Sequence, residues 1–290
     1  MSNSVPADAV PVDLVLQAPD IGTPAIKHLA RLAAADAIEA LTGAATQAFR
    51  LSPARQRDGV AEFCAGAGID FAFVPGEQRL RRVRLLALDM DSTLISIECI
   101  DEIADLADIK HEVAAITASA MRGEIEFRAS LTRRVALLAG LDAGTLARVY
   151  AERLQLSPGA ERMLAGFKAA GARTLLASGG FTFFTERLKA RLGLDYALAN
   201  TLEIVDGKLT GRLVGDIVDS AAKAEYFARL ARELGGDGAL TVAVGDGAND
   251  LPLLSRADIR VAYHAKPAVR AAATYAIDHC GLDAILNLFR

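Results

Sequence analysis

The sequence predicts an α/β protein in which a small βαββαβ domain precedes a larger Rossmann-like core, a parallel sheet with helices on both faces and a helical insertion. Three observations lead there. Apolar runs at Leu85–Leu88, Ala172–Ala177 and Leu240–Val244 are separated by helical patterns, and each stops in a small polar loop. Short, fully apolar strands of this kind belong to sheets buried on both faces. The stretch from Leu94 to Ser157 is helix-patterned nearly throughout and far too long for an ordinary βα connection, so it reads as a cap inserted into the core. Residues 11 to 76, by contrast, alternate strand and helix patterns on a smaller scale. A chain of 290 residues, 52% of them hydrophobic, is long and apolar enough to bury two cores.

From the beginning of the chain, a strand is expected at Val12–Gln17, a helix at Pro24–Ala34, strands at Ala37–Leu41 and Ala45–Leu51, a helix at Ala54–Ala67 and a last strand at Asp70–Val74. This βαββαβ order is ferredoxin-like. The short basic cluster Arg79–Arg84 marks a linker before the first buried strand. The expected units are therefore residues 1–78 and 79–290, with the cap at about 94–157.

The run Leu85-Leu86-Ala87-Leu88 delivers Asp89 and Asp91, one residue apart, to the place where its strand runs out. In open parallel sheets ligands collect beyond the carboxyl ends of the strands. Two carboxylates there incur desolvation and mutual repulsion, and an oxygen-seeking divalent cation relieves both. Taken alone, the pair could equally be a polar helix cap, with Ser92 and Thr93 as further cap oxygens.

After a helix expected at Gly159–Gly171, the second buried strand opens onto Ser178-Gly179-Gly180, with a helix beginning near Thr182. A hydroxyl and two residues without side chains let backbone N–H groups approach a phosphate. Thr201–Val205 and Lys208–Val214, joined by Asp206-Gly207, read as a hairpin without assigned chemistry. Lys223 lies in the first turn of a helix running from Ser220 to about Leu234, where a cation mildly opposes the helix dipole. The third buried strand ends in Gly245-Asp246-Gly247-Ala248-Asn249-Asp250. Acids, flexible backbone and an amide suit magnesium; Asp250 stands where a dinucleotide fingerprint needs its third glycine.

A net charge of −4 and an isoelectric point near 5.7 argue against nucleic acid as a partner. No run is long enough to span a membrane and the first residues lack the character of a secretory signal, so the expected location is cytoplasmic. Cys64, Cys99 and Cys280 sit in apolar surroundings and are expected as reduced, buried thiols. His28, His111, His264 and His279 form no metal-binding spacing.

The Asp89-x-Asp91, Ser178-Gly179-Gly180, Lys223 and Gly245–Asp250 pieces, in this order and after successive strands, resemble the four motifs of the haloacid dehalogenase superfamily. Their surroundings are similar to the phosphoserine phosphatase branch: Glu98 in Ile97–Ala104, Met121-Arg122-Gly123, Phe127, Ser130–Val135 and Leu192–Ala197. The resemblance covers Arg82 to Arg290. It implies Mg2+-dependent hydrolysis of O-phosphoserine, the last step of serine synthesis, through an aspartyl-phosphate on Asp89 with Asp91 as general acid and base. Metal ligands would be the side chains of Asp89 and Asp246 and the backbone carbonyl of Asp91, with Asp250 behind them. Ser178, Gly179, Gly180, Lys223 and Asn249 would surround the phosphoryl group. Glu98 and Arg134 would hold the ammonium and carboxylate of the substrate, and Met121 and Phe127 would close over it. The turn Ala18–Pro24 is similar to the amino-acid-binding turn of ACT domains, which leaves the N-terminal domain as a sensor of free serine or as a structural or homodimer-forming module. A relative acting on phosphothreonine or phosphohomoserine, and a slow phospho-accepting sensor, are the competing expectations.

Overall fold

The computed structural model describes residues 11–41 and 46–290. The first sheet is built from β1 (Val12–Ala18), β2 (Ala37–Leu41), β3 (Gln47–Ser52) and β4 (Asp70–Pro75), with α1 (Thr23–Leu32) after β1 and α2 (Val60–Ala67) after β3. All of its pairings are antiparallel, in the order β2-β3-β1-β4. Helix α2 is shorter than expected, because residues 54–59 run as loop and turn before Gly59 at positive φ opens the helix. The expected start of the third strand at Ala45 lies outside the described residues. Leu14, Leu16, Leu29, Leu51, Val60 and Cys64 form the core between this sheet and its two helices.

The remainder of the chain follows a short helical turn at Leu80–Arg82. Strand β5 (Val83–Leu88) leads into α3 (Cys99–Leu106), α4 (Lys110–Met121), α5 (Phe127–Ala136) and α6 (Gly144–Arg148), so the long insertion is helical as its pattern requires. Its two ends meet in a bridge between Ile95 and Leu156. Then come α7 (Ala160–Ala169), β6 (Arg173–Phe181), α8 (Thr182–Leu192), β7 (Tyr196–Val205), β8 (Lys208–Val214), α9 (Ser220–Leu234), β9 (Leu240–Gly245), α10 (Leu251–Leu254), β10 (Ile259–Tyr263), α11 (Pro267–Ala272) and β11 (Tyr275–Ile277).

The seven-stranded sheet has the order β11-β10-β9-β5-β6-β7-β8. Every pair is parallel except the hairpin β7–β8. Asp206 and Gly207 both have positive φ at its turn, the combination that matches hairpin twist. Strand β5 lies between β6 and β9, and the chain leaves it on one side and returns on the other, so a crevice opens at the carboxyl ends of these three strands. Leu85, Leu86, Ala87 and Leu88 are fully buried, as a central strand covered on both faces demands.

The two sheets are joined by buried polar contacts. Arg50, 2% exposed, donates to Asp13 at 3.2 Å and to the carbonyls of Asn287 and Phe289, each at 2.9 Å. Both carboxylate oxygens of Asp70 accept backbone N–H groups from residues 278–280. Cys64, Cys99 and Cys280 are free and buried, as expected.

Candidate active site

Asp89 follows the last residue of β5 and is 5% exposed. Lys223, 1% exposed in the first turns of α9, donates to Asp89 Oδ1 at 2.9 Å and to Asp250 Oδ1 at 2.7 Å. The lysine is thus held between two carboxylates from β5 and β9, and that charge pattern keeps its ammonium protonated against burial. Asp219 caps α9 by accepting from the Ala222 N–H at 3.0 Å, which fixes the turn carrying Lys223.

Asp250 has both oxygens engaged: Oδ2 accepts the N–H groups of Asp246 and Gly247, each at 3.2 Å. Asn249 reaches Asp89 Oδ2 at 3.5 Å and Asp250 Oδ1 at 3.2 Å. Thr93 Oγ1 donates to Asp246 Oδ1 at 2.8 Å. Oxygen atoms of Asp89, Asp246 and Asp250 lie within 4.8 Å of one another. Such a set of hard oxygen donors fits a small divalent cation. Because Asp250 is committed to Lys223 and to backbone amides, Asp89 and Asp246 are the better donors of the three.

Burial raises the pKa of Asp89 well above the carboxylate range, Asp250 adds to the rise, and Lys223 opposes it. Burial also raises Asp91 and Asp246. Asp91 is expected to hold its proton more tightly than Asp89, yet these side chains by themselves do not separate the two in that sense: Asp89 is the more deeply enclosed. A cation held beside Asp89 would supply the missing asymmetry, since opposite charge favours the ionised form.

Asp91 Oδ1 accepts the Cys99 N–H at 2.9 Å, tying the carboxylate to the start of the cap. Ser178 ends the regular pairing of β6; a register shift between Ala177 and Phe181 bulges Ser178-Gly179-Gly180 toward Asp91. A Cβ at Gly180 would stand 2.8 Å from Asp91 Oδ2, so only glycine permits this approach. Asn200 on β7 braces the bulge by donating to the Gly179 carbonyl at 2.8 Å.

These groups open into a cavity of about 490 Å3 lined from the core by Asp89, Asp91, Ser178, Gly179, Gly180, Asp246 and Asn249, and from the cap by Glu98, Met121, Phe127 and Arg134. Every residue proposed from sequence is here except Lys223 and Asp250, which stand behind Asp89 instead of lining the space. Glu98 remains open to solvent at the mouth, yet the cavity walls and Asp91 push its pKa up to about 7; Ser92 Oγ donates to it at 2.7 Å. Ser92, read as a possible helix cap, serves Glu98 instead and takes positive φ to do so. Met121 is 68% exposed at the rim, so in this arrangement it does not close over the space.

Sequence reasoning did not single out Thr93 as the partner of Asp246, Asn200 as the brace of the bulge, or Lys266, which lines the mouth and donates its backbone N–H to the Asp246 carbonyl at 3.1 Å. Thr93 stood inside the first motif. Asn200 lies within β7 and Lys266 after β10, both far along the chain, and nothing local marks them.

A family model described as haloacid dehalogenase-like hydrolase matches residues 86–255, and a model for a domain of unknown function matches residues 14–60. A phosphoserine phosphatase from Polaromonas sp. is 51% identical over 217 residues, which are 73% of this chain and 92% of that protein. One from Streptomyces coelicolor is 49% identical over 232 residues, 80% of this chain and 56% of that protein. Among solved structures, an unliganded probable phosphoserine phosphatase from Vibrio cholerae superposes with a TM-score of 0.84 at 36% identity, covering 95% of this chain and 85% of its own. A substrate-bound phosphoserine phosphatase complex gives a TM-score of 0.65 at 37% identity over 72% of this chain and 99% of its own. With the match extending over more than half of the sequence and over the strands that bring Asp89, Ser178, Lys223 and Asp246 together, the chain belongs to the haloacid dehalogenase-like hydrolases.

Proposed function

We propose that the protein is a magnesium-dependent phosphoserine phosphatase. The observation that carries this reading is a single cavity with a buried, lysine-paired Asp89 at one end and the oppositely charged Glu98 and Arg134 in its cap wall. Phosphoserine presents a phosphate, an ammonium and a carboxylate, and this cavity offers a complement to each. The names of the relatives support the same substrate.

An Asp89 carboxylate oxygen attacks phosphorus as the bond from phosphorus to the serine oxygen breaks, giving an aspartyl-phosphate. The leaving oxygen takes its proton from Asp91, which must be protonated at that moment; burial favours that state. Asp91 then accepts a proton from the water that attacks phosphorus, and Asp89 and inorganic phosphate are released. The Ser178 hydroxyl and the Gly179 N–H stabilise the charge spread over the phosphoryl oxygens, and Lys223, behind Asp89, offsets the charge of the carboxylate that attacks. Mg2+, held by the side chains of Asp89 and Asp246 and the Asp91 carbonyl with Asp250 behind, would neutralise that charge further.

The units 1–78 and 79–290 are proposed as domains, the first ACT-like on the strength of its βαββαβ order. Whether it senses serine or only supports the core is decided by calorimetry of the full chain with free serine; absence of heat at millimolar concentrations argues for the supporting role. The decisive experiment for the catalytic reading is phosphate release from L-phosphoserine. Turnover should need Mg2+, vanish on chelation and vanish in Asp89→Asn. Faster turnover of phosphothreonine than phosphoserine would reassign the substrate, and turnover surviving in Asp89→Asn would remove the nucleophile.

A further inference from the structure

Helix α5 sends Phe127, Ser130, Leu131 and Arg134 to the cavity. Their i, i+3, i+4, i+7 spacing is one face of a helix. Phe127 and Leu131 supply apolar wall; Ser130 and Arg134 supply polar atoms, of which Ser130 Oγ and Arg134 Nε have no partner among the described residues. Ser130 is 1% exposed, and its Oγ has no hydrogen-bond partner among the described residues. The same holds for Arg134 Nε, one turn further along.

A serine inside a helix commonly returns its hydroxyl to the carbonyl four residues earlier. Thr132 on the same helix does so, to Arg128 at 2.8 Å, and Thr117 on α4 does so to Val113 at 3.1 Å. Ser130 does not, although the Glu126 carbonyl is near enough to accept its backbone N–H at 2.9 Å. A buried hydroxyl without a partner is destabilising. An orphan donor in the wall of a ligand cavity, beside an arginine with an orphan N–H, is a pair of donors set for one acceptor that arrives with the ligand.

We propose that Ser130 determines specificity for the amino-acid end of the substrate: its hydroxyl, together with Arg134, donates to the substrate carboxylate. The inference rests on the phosphoserine reading and adds a second carboxylate donor to it. A hydroxyl one helical turn from the guanidinium also fixes which face of the carboxylate meets the arginine, and so orients the ester oxygen toward Asp91.

The test is Ser130→Ala in the full chain with Mg2+, assayed on L-phosphoserine and on phosphoethanolamine, which keeps the phosphate and ammonium and lacks the carboxylate. The KM for L-phosphoserine should rise about tenfold or more with kcat little changed, while the KM for phosphoethanolamine stays as in the unaltered protein. The thermal midpoint without substrate should hold or rise, because the deletion removes an unpaired buried hydroxyl. An unchanged KM for L-phosphoserine, an equal rise for both esters, or a lowered midpoint with equal losses would overturn the proposal and leave Ser130 a packing residue. If the unaltered protein turns over phosphoethanolamine or aryl phosphates but not L-phosphoserine, the substrate reading itself fails, and this inference with it.

Discussion

Lys223 has its ammonium enclosed with two carboxylates, and removing such a cation leaves both buried charges unpaired. Lys223→Ala should therefore destabilise the protein by about 3–5 kcal/mol as well as abolish turnover, measured by urea unfolding beside activity. Glu98 makes a prediction of opposite character. Burial and Asp91 push its pKa up to about 7 from the ordinary glutamate value of 4.5, so the folded state binds more protons than the unfolded state between these values. Its contribution to stability is then present below the unfolded pKa and lost as pH rises through about 7. Substrate has the reverse preference, since an ammonium needs the ionised carboxylate. The KM for L-phosphoserine should rise as pH falls below about 7, and Glu98→Gln should raise KM at neutral pH while flattening that dependence. A KM of the native protein that is flat from pH 8 to 6 would remove Glu98 from ammonium recognition.

Helix α9 illustrates how an element serves the site through its end. Asp219 caps it and also pairs with Arg128 of α5 at 2.6 Å, so one carboxylate anchors the helix of Lys223 and touches the cap. Arg128 is half exposed, and its loss should cost less than about 1 kcal/mol. Asp219→Ala should cost about 1 kcal/mol more than Arg128→Ala, because it also removes the helix cap; equal losses in denaturant midpoint would show that the cap contributes nothing. The bulge of β6 makes a sharper demand: Gly180→Ala places a methyl against Asp91 and should reduce kcat strongly with far-UV circular dichroism unchanged.

Across the whole molecule, the small sheet is fastened to the core by Arg50, Asp13, Asp70 and Gln78, with Arg290 donating to Asp13 at 2.6 Å. Arg50 is the most enclosed of these and holds two carbonyls near residue 288. Arg50→Ala leaves the Asn287 and Phe289 carbonyls without their donor while Asp13 keeps Arg290, so it should lower stability by about 1–3 kcal/mol and split a single calorimetric transition into two as the small sheet melts first. A single, unshifted transition would mean that the polar contacts do not couple the two units.

Much of this was legible beforehand because it depends on local pattern. Apolar strands announced the parallel sheet, the turn Asp206-Gly207 announced its hairpin, and the short motifs at strand ends announced Asp89, Ser178 and Asp246. The long insertion was recognisable as helical because helical periodicity persists from residue to residue. By itself the sequence determined which segments are strands, which are helices and which carry acids, since backbone preference and burial period act over a few neighbours. Only the tertiary structure decided that Lys223 lies behind Asp89 between two carboxylates, that Thr93 holds Asp246, and that Ser130 faces the cavity without a partner among the described residues. Those facts depend on how strands distant in the chain stack side by side, and on which hydroxyl finds an acceptor once water is excluded, neither of which is encoded in any short window of residues.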